Sequence, residues 1–383
     1  MSVYLDYNAS APIDDDVLSK MIDVYKNVIG NPDSRTHDFG DNARAVVEEA
    51  RKRVAELLSV DSTEIYFTSG ATESNNIAIR GLVDYARTTG KNHIITTAIE
   101  HKAVLETIKH LSKVGFDVDI VSPDTTGRVD AHRILELVKD NTLLVSVMHV
   151  NNETGIIQPV DEIGRALIDR DLFFHVDATQ SCGKLVEEIK DLQYDMMSFS
   201  SHKMGGPQGV GVLVLKRRHG KRLPVKAISY GGQQENGIRP GTVPVALVAG
   251  CGEACRLASK NYKLNNTNAR LIKEMILSEL RESGMNYQII GDSDYCIDST
   301  INVSFDGVSS EALMLATKSY CGISNGSACT SKSYSTSYVL KAMGIPEEVV
   351  NGAIRISWGH QSEISEIREN FRKLLGLAYS MVN

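Results

Sequence analysis

Between about residue 40 and residue 215, short apolar runs alternate with amphipathic stretches. The predicted strands are EIYFTS (64–69), NHIITTA (92–98), FDVDIVS (116–122), TLLVSVMHV (142–150), LFFHVDA (172–178), YDMMSFS (194–200) and GVGVLVL (209–215). Several are apolar on both faces, the pattern of strands in a sheet covered on both sides. Ahead of the first, NARAVVEEARKRVAELL places Val46, Val47, Ala50, Val54, Leu57 and Leu58 on one helical face. This alternation predicts an α/β fold: a mostly parallel sheet with right-handed crossovers and helices on both faces. In such sheets a ligand sits beyond the carboxyl ends of the strands. The alternation stops near residue 250, where EACRLASKNYKLNNTNARLIKEMILSELRESG predicts a long helix leading into a second, smaller α+β unit. That unit holds STINVSFDG, SEALMLATKSYCG and a charged C-terminal helix. The expected division is a large domain over 15–257 and a small one built from 1–14 and 258–383.

Composition narrows the function classes. The 383 residues are 42% apolar and 23% charged, as in a soluble globular protein, and the net charge of −7 argues against general nucleic-acid binding. The one basic run, Lys216 to Arg222, follows GVGVLVL and is expected to decorate the solvated end of that strand. MSVYLDYNAS lacks the basic and apolar segments of a secretory signal, and no apolar stretch is long enough for a membrane span. A cytoplasmic location follows as the expectation. The six cysteines, at 182, 251, 255, 296, 321 and 329, form no CxxC pair and read as free thiols. Cys251 and Cys255 could share a helical face as metal ligands, but their apolar surroundings favour buried thiols, and no metal site is expected.

Polar residues gather where the predicted strands end. FTSGATESNN is a strand, a Gly70-Ala71-Thr72 turn and a helix start, which offers backbone N–H groups and the Thr72 hydroxyl to an anion. An ordinary helix capped by Ser69 or Thr72 is the alternative. HVDATQS ends a strand in Asp177 and Gln180, and an acid there needs a cation or donors. SFSSHKMGG brings Ser200, His202 and Lys203 to the same edge; a lysine at a buried strand end is suited to nucleophilic use, with a Lys203–Asp177 salt bridge as the structural alternative. VMHVNNETG adds Asn151 and Asn152, and TTAIEHKAV adds His101, whereas His93 and His110 read as structural. A phosphate cradle, an acid, amide donors, an aromatic base and a lysine together fit pyridoxal 5'-phosphate, with Lys203 bearing the cofactor, Asp177 holding the ring nitrogen and Thr72 at the phosphate.

SNGSACTS (324–331) sets Cys329 among small and polar residues, the composition of a mobile loop and not of a core. With YLDYNASAP, FTSGATESNN, EHKAVLET, MHVNNETG, HVDATQS, FSSHK, RPGT, SYVLKAMG and AIRISWG, it resembles in order the motifs of cysteine desulfurases, in the class V aminotransferase family of fold type I pyridoxal-phosphate enzymes. The resemblance covers essentially the whole chain. It implies that Lys203, Cys329 and His101 are catalytic, Asp177 meets the pyridine nitrogen, and Asn152 and Gln180 meet the ring hydroxyl. It places Ala71, Thr72, Ser200 and His202 at the phosphate, Thr242 at the phosphate of the other subunit of a homodimer, and Arg355 with Asn8 at the substrate carboxylate. The implied reaction turns L-cysteine into L-alanine and a persulfide on Cys329, passed to an acceptor protein such as an iron–sulfur scaffold, a tRNA-thiolation protein or a DNA-sulfur-modification protein. Selenocysteine lyase or another class V activity shares the cofactor site, and a non-catalytic sulfur carrier is the remaining alternative. The chain departs from the pattern at Ser201, Gln208, Asn325 and WGHQSE, none of which removes a catalytic group.

Overall fold

The structure, a computed structural model, describes residues 2–326 and 336–382. All seven predicted strands form in one sheet. In chain order the strands are β1 (Val3–Tyr4), β2 (Ile65–Thr68), β3 (His93–Thr97), β4 (Asp117–Val121), β5 (Thr142–Met148), β6 (Phe173–Asp177), β7 (Met196–Ser200), β8 (Gly211–Leu215), β9 (Tyr287–Ile289), β10 (Thr300–Phe305), β11 (Cys321–Gly322) and β12 (Ala353–Ser357). The large sheet runs β2-β8-β7-β6-β5-β3-β4, parallel except for β8, which is antiparallel to both neighbours. The reversal follows from chain length: only ten residues join β7 to β8, too few for a crossover helix, so the chain folds straight back. β8 must also pass close to the turn that follows β2. A Cβ at Gly211 would lie 2.5 Å from Gly70 backbone atoms, so only glycine fits there.

The predicted amphipathic stretch is the helix Asp38–Leu58, which buries Val47, Ala50, Val54, Leu57 and Leu58; Val46 is only partly covered. The long helix spans Val245–Glu282, and its two halves serve different cores. Val248, Cys251 and Cys255 pack with the large-sheet residues Val145, Val176 and Val212. Further along, Ala269, Ile272, Ile276 and Leu280 pack with Ile301, Val303, Ile354 and Ile356 of a three-stranded antiparallel sheet, β12-β10-β9, and with Trp358 just beyond β12. Each fully buried aliphatic side chain of this kind contributes roughly 1.5–3 kcal/mol. Trp358 satisfies its only donor by giving the indole N–H to the Ala269 carbonyl at 3.0 Å. β1 pairs in parallel with β11, and Asp6 bridges to Ser357, so the N-terminal residues lie against the C-terminal part of the chain and pass from it to the large sheet.

Cys251 and Cys255 are fully buried free thiols, and no metal-binding cluster occurs among the described residues. No helix among them is long and apolar enough to cross a membrane. The basic run continues from the end of β8, where Arg218 forms an ion pair with Asp195.

Candidate active site

The carboxyl ends of the parallel strands face a cavity of about 440 Å³. Its wall contains Asn8, Ala71, Thr72, His101, Asn152, Asp177, Gln180, Ser200, His202, Lys203 and Arg355, eleven of the thirteen residues singled out from sequence. Thr242 is exposed and lies outside the cavity wall. Cys329 lies outside the described residues. Ser324, Asn325 and Gly326, expected within a mobile loop, are buried; Ser324 exchanges backbone hydrogen bonds with Arg355.

One end of the cavity is the start of the helix Ala71–Arg80. Its N-cap is Gly70, and no side chain among the described residues caps it. The capped-helix alternative therefore does not apply: neither Ser69 nor Thr72 closes the first turn, and the positive end of the helix dipole opens toward the cavity. Glu73, also in the wall, takes the Ser69 N–H and an Arg239 ion pair at 3.2 Å. Burial raises the Glu73 pKa, but these partners outweigh it and the net direction is down. Ser200, the last residue of β7, lies beside Gly70 at that end, and His202 follows in the next turn and lines the same cavity. His202 shares a 3.1 Å hydrogen bond with the Ser10 hydroxyl, and burial, with Lys203 beside it, pushes its pKa down to about 4. A neutral imidazole is the result at physiological pH.

Asp177, at the end of β6, is 4% exposed. Asn75 donates to its Oδ2 at 2.8 Å, while the Thr179 N–H and hydroxyl donate to Oδ1 at 3.0 and 2.5 Å. These donors fix the carboxylate plane at the cavity wall. Lys203 follows β7 in a single 3-10 turn, and its Nζ donates to the carbonyls of Asn8 at 2.6 Å and Ala9 at 2.7 Å. His101 caps the helix Lys102–Lys113 by accepting the Ala103 N–H on Nδ1 at 3.1 Å, which leaves the ring proton on Nε2. Burial holds its pKa below the ordinary histidine value; Asp177 pulls upward, while Lys203 and Lys102 push down. The His101 ring is therefore expected to titrate below about 6.5. An NMR titration assigned with His101→Gln checks this, and a midpoint at or above that value contradicts it.

Arg355, on β12, is 2% exposed. Its Nη1 donates to the Asn152 carbonyl at 2.8 Å and its Nη2 pairs with Asp6 at 2.5 Å. Its Nε and the Asn152 Oδ1, both buried in this wall, have no partner among the described residues. A buried donor and a buried acceptor left open suit a carboxylate and a hydroxyl respectively. The donor set as a whole fits pyridoxal phosphate: an uncapped helix start for the phosphate, an acid for the ring nitrogen, an amide for the ring hydroxyl and an amine for the carbonyl. Asn8 plays a different local part from the expected one, because both Nδ2 hydrogens are engaged, at 3.2 Å on the Asn152 carbonyl and 2.9 Å on Thr300 Oγ1.

Several residues went unread in the sequence although their motifs were noted. Asn75 and Thr179 orient Asp177 from within FTSGATESNN and HVDATQS. Burial pushes Glu100 up to about 8; it accepts from Thr97 and from the Met148 N–H, behind the cavity. Glu153 lines the cavity, accepts from the Ser337 hydroxyl, and is pushed by burial up to about 7. Lys184 carried no local signal at all.

The Aminotransferase class-V family matches residues 3–369. A relative named cysteine desulfurase IscS, from Glaesserella parasuis, is 42% identical over 380 residues, covering 97% of this chain and 92% of its own. Among solved structures, a NifS-like protein superimposes with a TM-score of 0.90 at 36% identity, covering 99% of this chain and all of that one. SspA in complex with cysteine gives a TM-score of 0.81 at 34% identity, over 92% of this chain and 98% of that one. The chain belongs to the class V aminotransferase family.

Proposed function

We propose that this protein is a pyridoxal 5'-phosphate-dependent cysteine desulfurase, which takes sulfur from L-cysteine, releases L-alanine and carries the sulfur as a persulfide on Cys329. The observation that carries this reading is the convergence of the Lys203 amine, the Asp177 carboxylate and an uncapped helix start on one cavity. The desulfurase relative and the cysteine complex of SspA support the choice of substrate.

When bound, the cofactor supplies a carbonyl for the substrate amine and an electron-withdrawing ring that takes up charge developing at Cα. The residues do the rest. Ala71, Thr72, Ser200 and His202 hold the phosphate against the helix dipole, and Thr242, exposed and outside its own cavity, reaches the phosphate of a second subunit. Asp177 accepts a hydrogen bond from the protonated ring nitrogen, kept in place by Asn75 and Thr179. Asn152 and Gln180 face the ring hydroxyl, His101 covers the ring, and Arg355 receives the substrate carboxylate, with Asn8 beside it held on Asn152 and Thr300. Lys203 Nζ takes the Cα proton and later returns it. Cys329 loses its thiol proton, its sulfur bonds to the substrate sulfur, and the Cβ–S bond breaks with its electron pair staying on carbon. One proton then added at Cβ balances the one Cys329 gave up. An ordinary thiol is only about 3% ionised at pH 7, so the attack needs local activation; the proposed routes are proton transfer to His101, whose Nδ1 must first release the Ala103 N–H, or to the substrate.

The same reading makes the protein a cytoplasmic homodimer with a large domain over 15–257 and a small domain from 1–14 and 258–383, handing sulfur to an acceptor protein. The two cores packed along the long helix support the division in part; Val339, Leu340, Met343 and Val350, assigned to the small domain, pack with the large core. Purified protein mixed with L-cysteine and reductant is expected to yield alanine; a keto acid in place of alanine points to transamination. Asp177→Ala is expected to weaken cofactor retention by about 10- to 100-fold, since a charge-assisted hydrogen bond contributes roughly 1.5–3 kcal/mol. Equilibrium dialysis followed by absorbance measures this, and unchanged retention removes the ring-nitrogen role from Asp177.

A further inference from the structure

Lys184 lies in the turn after β6, where Gly183 has φ +82° and the Lys184 N–H bonds to the Ser181 carbonyl at 2.9 Å. Its Nζ turns back toward the site. It donates to Gln180 Oε1 at 3.2 Å and to Asn8 Oδ1 at 3.5 Å. Gln180 Nε2 in turn donates to the Asn8 carbonyl at 2.9 Å, the same oxygen that receives Lys203 Nζ. On its other side Lys184 borders a second cavity of about 270 Å³, which Lys203 also lines. The residue is partly buried there, and desolvation, with Lys203 and Arg355 adding to it, brings its pKa down to about 7.

In its charged form Nζ only donates, so it holds both amides with an oxygen toward it. With Nζ on Oε1, the Gln180 side chain must point its Nε2 hydrogens toward the Asn8 carbonyl and the cavity. Without Nζ, Oε1 loses its partner and only the Nε2 bond to the Asn8 carbonyl resists the amide turning over. We propose that Lys184 is a positioning residue for cofactor binding: it fixes Gln180 as a hydrogen-bond donor, and Asn8 as the carbonyl anchor of Lys203, from behind the cavity wall. Lys184 is absent from the wall of the first cavity, so it acts through these two residues. The inference rests on the pyridoxal-phosphate reading of the site, in which Gln180 faces the ring hydroxyl. A donated hydrogen bond at that oxygen favours its ionised form, and an amide oxygen in the same place disfavours it.

The test is a double-mutant cycle on the holoenzyme, read as the pyridoxal-phosphate dissociation constant and as the absorption maximum of the bound cofactor. Lys184→Met is expected to weaken retention about 10-fold and to move the absorption maximum, and Gln180→Leu to do the same. The double variant is expected to match Gln180→Leu within about 3-fold, because Lys184 has nothing left to orient. Fully multiplicative losses, or an unmoved absorption maximum in a folded Lys184→Met protein, overturn the proposal. If Lys184→Met does not fold, Lys184→Arg is read instead: it keeps a donor, and the second cavity gives it room. Retention within about 3-fold of the parent and an unmoved absorption maximum then support the proposal, while a 10-fold loss in a folded protein overturns it. A parent protein that holds no pyridoxal phosphate refutes the cofactor reading itself, a separate outcome from either of these.

Discussion

Lys203→Ala is expected to lose alanine formation from L-cysteine together with the visible absorbance of the bound cofactor. The lost proton transfer alone is worth about 10²- to 10⁴-fold, and loss of the cofactor's attachment adds to it. Neither neighbouring lysine is placed to substitute. Lys102 lies over the Tyr338 ring, 5.8 Å from its centre, and Lys184 Nζ is taken up by Gln180 and Asn8. Lys203 alone follows β7, with its amine against the Asn8 and Ala9 carbonyls. A variant with the parent's spectrum and turnover would end the assignment of Lys203, and with it the mechanism above.

The second large effect concerns the sulfur. Cys329→Ser is expected to keep the cofactor spectrum, since Lys203, Asp177 and the helix start are untouched, yet to accumulate no persulfide. A serine oxygen is a poor nucleophile toward sulfur. The other cysteines do not replace it. Cys182, Cys251, Cys255 and Cys321 are buried, and Cys296 is partly buried with its thiol on the carbonyls of Thr154, Ile297 and Thr300. Burial raises the pKa of Cys182, Cys255 and Cys296, and takes Cys321 up to about 12, so these thiols are less ionised than an ordinary one. Mass spectrometry of peptides after cysteine addition, without reductant, reads the result; a sulfur adduct of equal yield on the variant would show that Cys329 is not the acceptor.

The positions of the seven sheet strands were legible because each is a short apolar run bounded by polar turns. The direction of β8 was not, because periodicity carries no sign; only the ten-residue connection after β7 betrays it. Strand ends were likewise legible as sites: Asp177, Lys203 and Asn152 sit where the apolar run stops, and all three reach one cavity. Partners supplied from elsewhere in the chain were not. Nothing near Asp177 in sequence names Asn75, 102 residues away, as the donor to its Oδ2. Lys184 illustrates the same limit. In sequence it is one lysine ahead of an ordinary helix, and its meaning comes from Asn8, which reaches it only because the N-terminal residues pass between the two sheets. The buried Glu100 and Glu153 are invisible for the converse reason, since a charged residue in a loop reads as solvated until the packing around it is known.

The central claim, that this cavity desulfurates cysteine, is tested most directly by counting products. Purified protein loaded with pyridoxal phosphate is given L-cysteine and a reducing thiol, and alanine and sulfide are measured in the same sample over time. The account predicts equal amounts of the two, formed together, with sulfur detectable on the Cys329 peptide when the reductant is left out. Alanine without sulfide, or a keto acid in place of alanine, would contradict it.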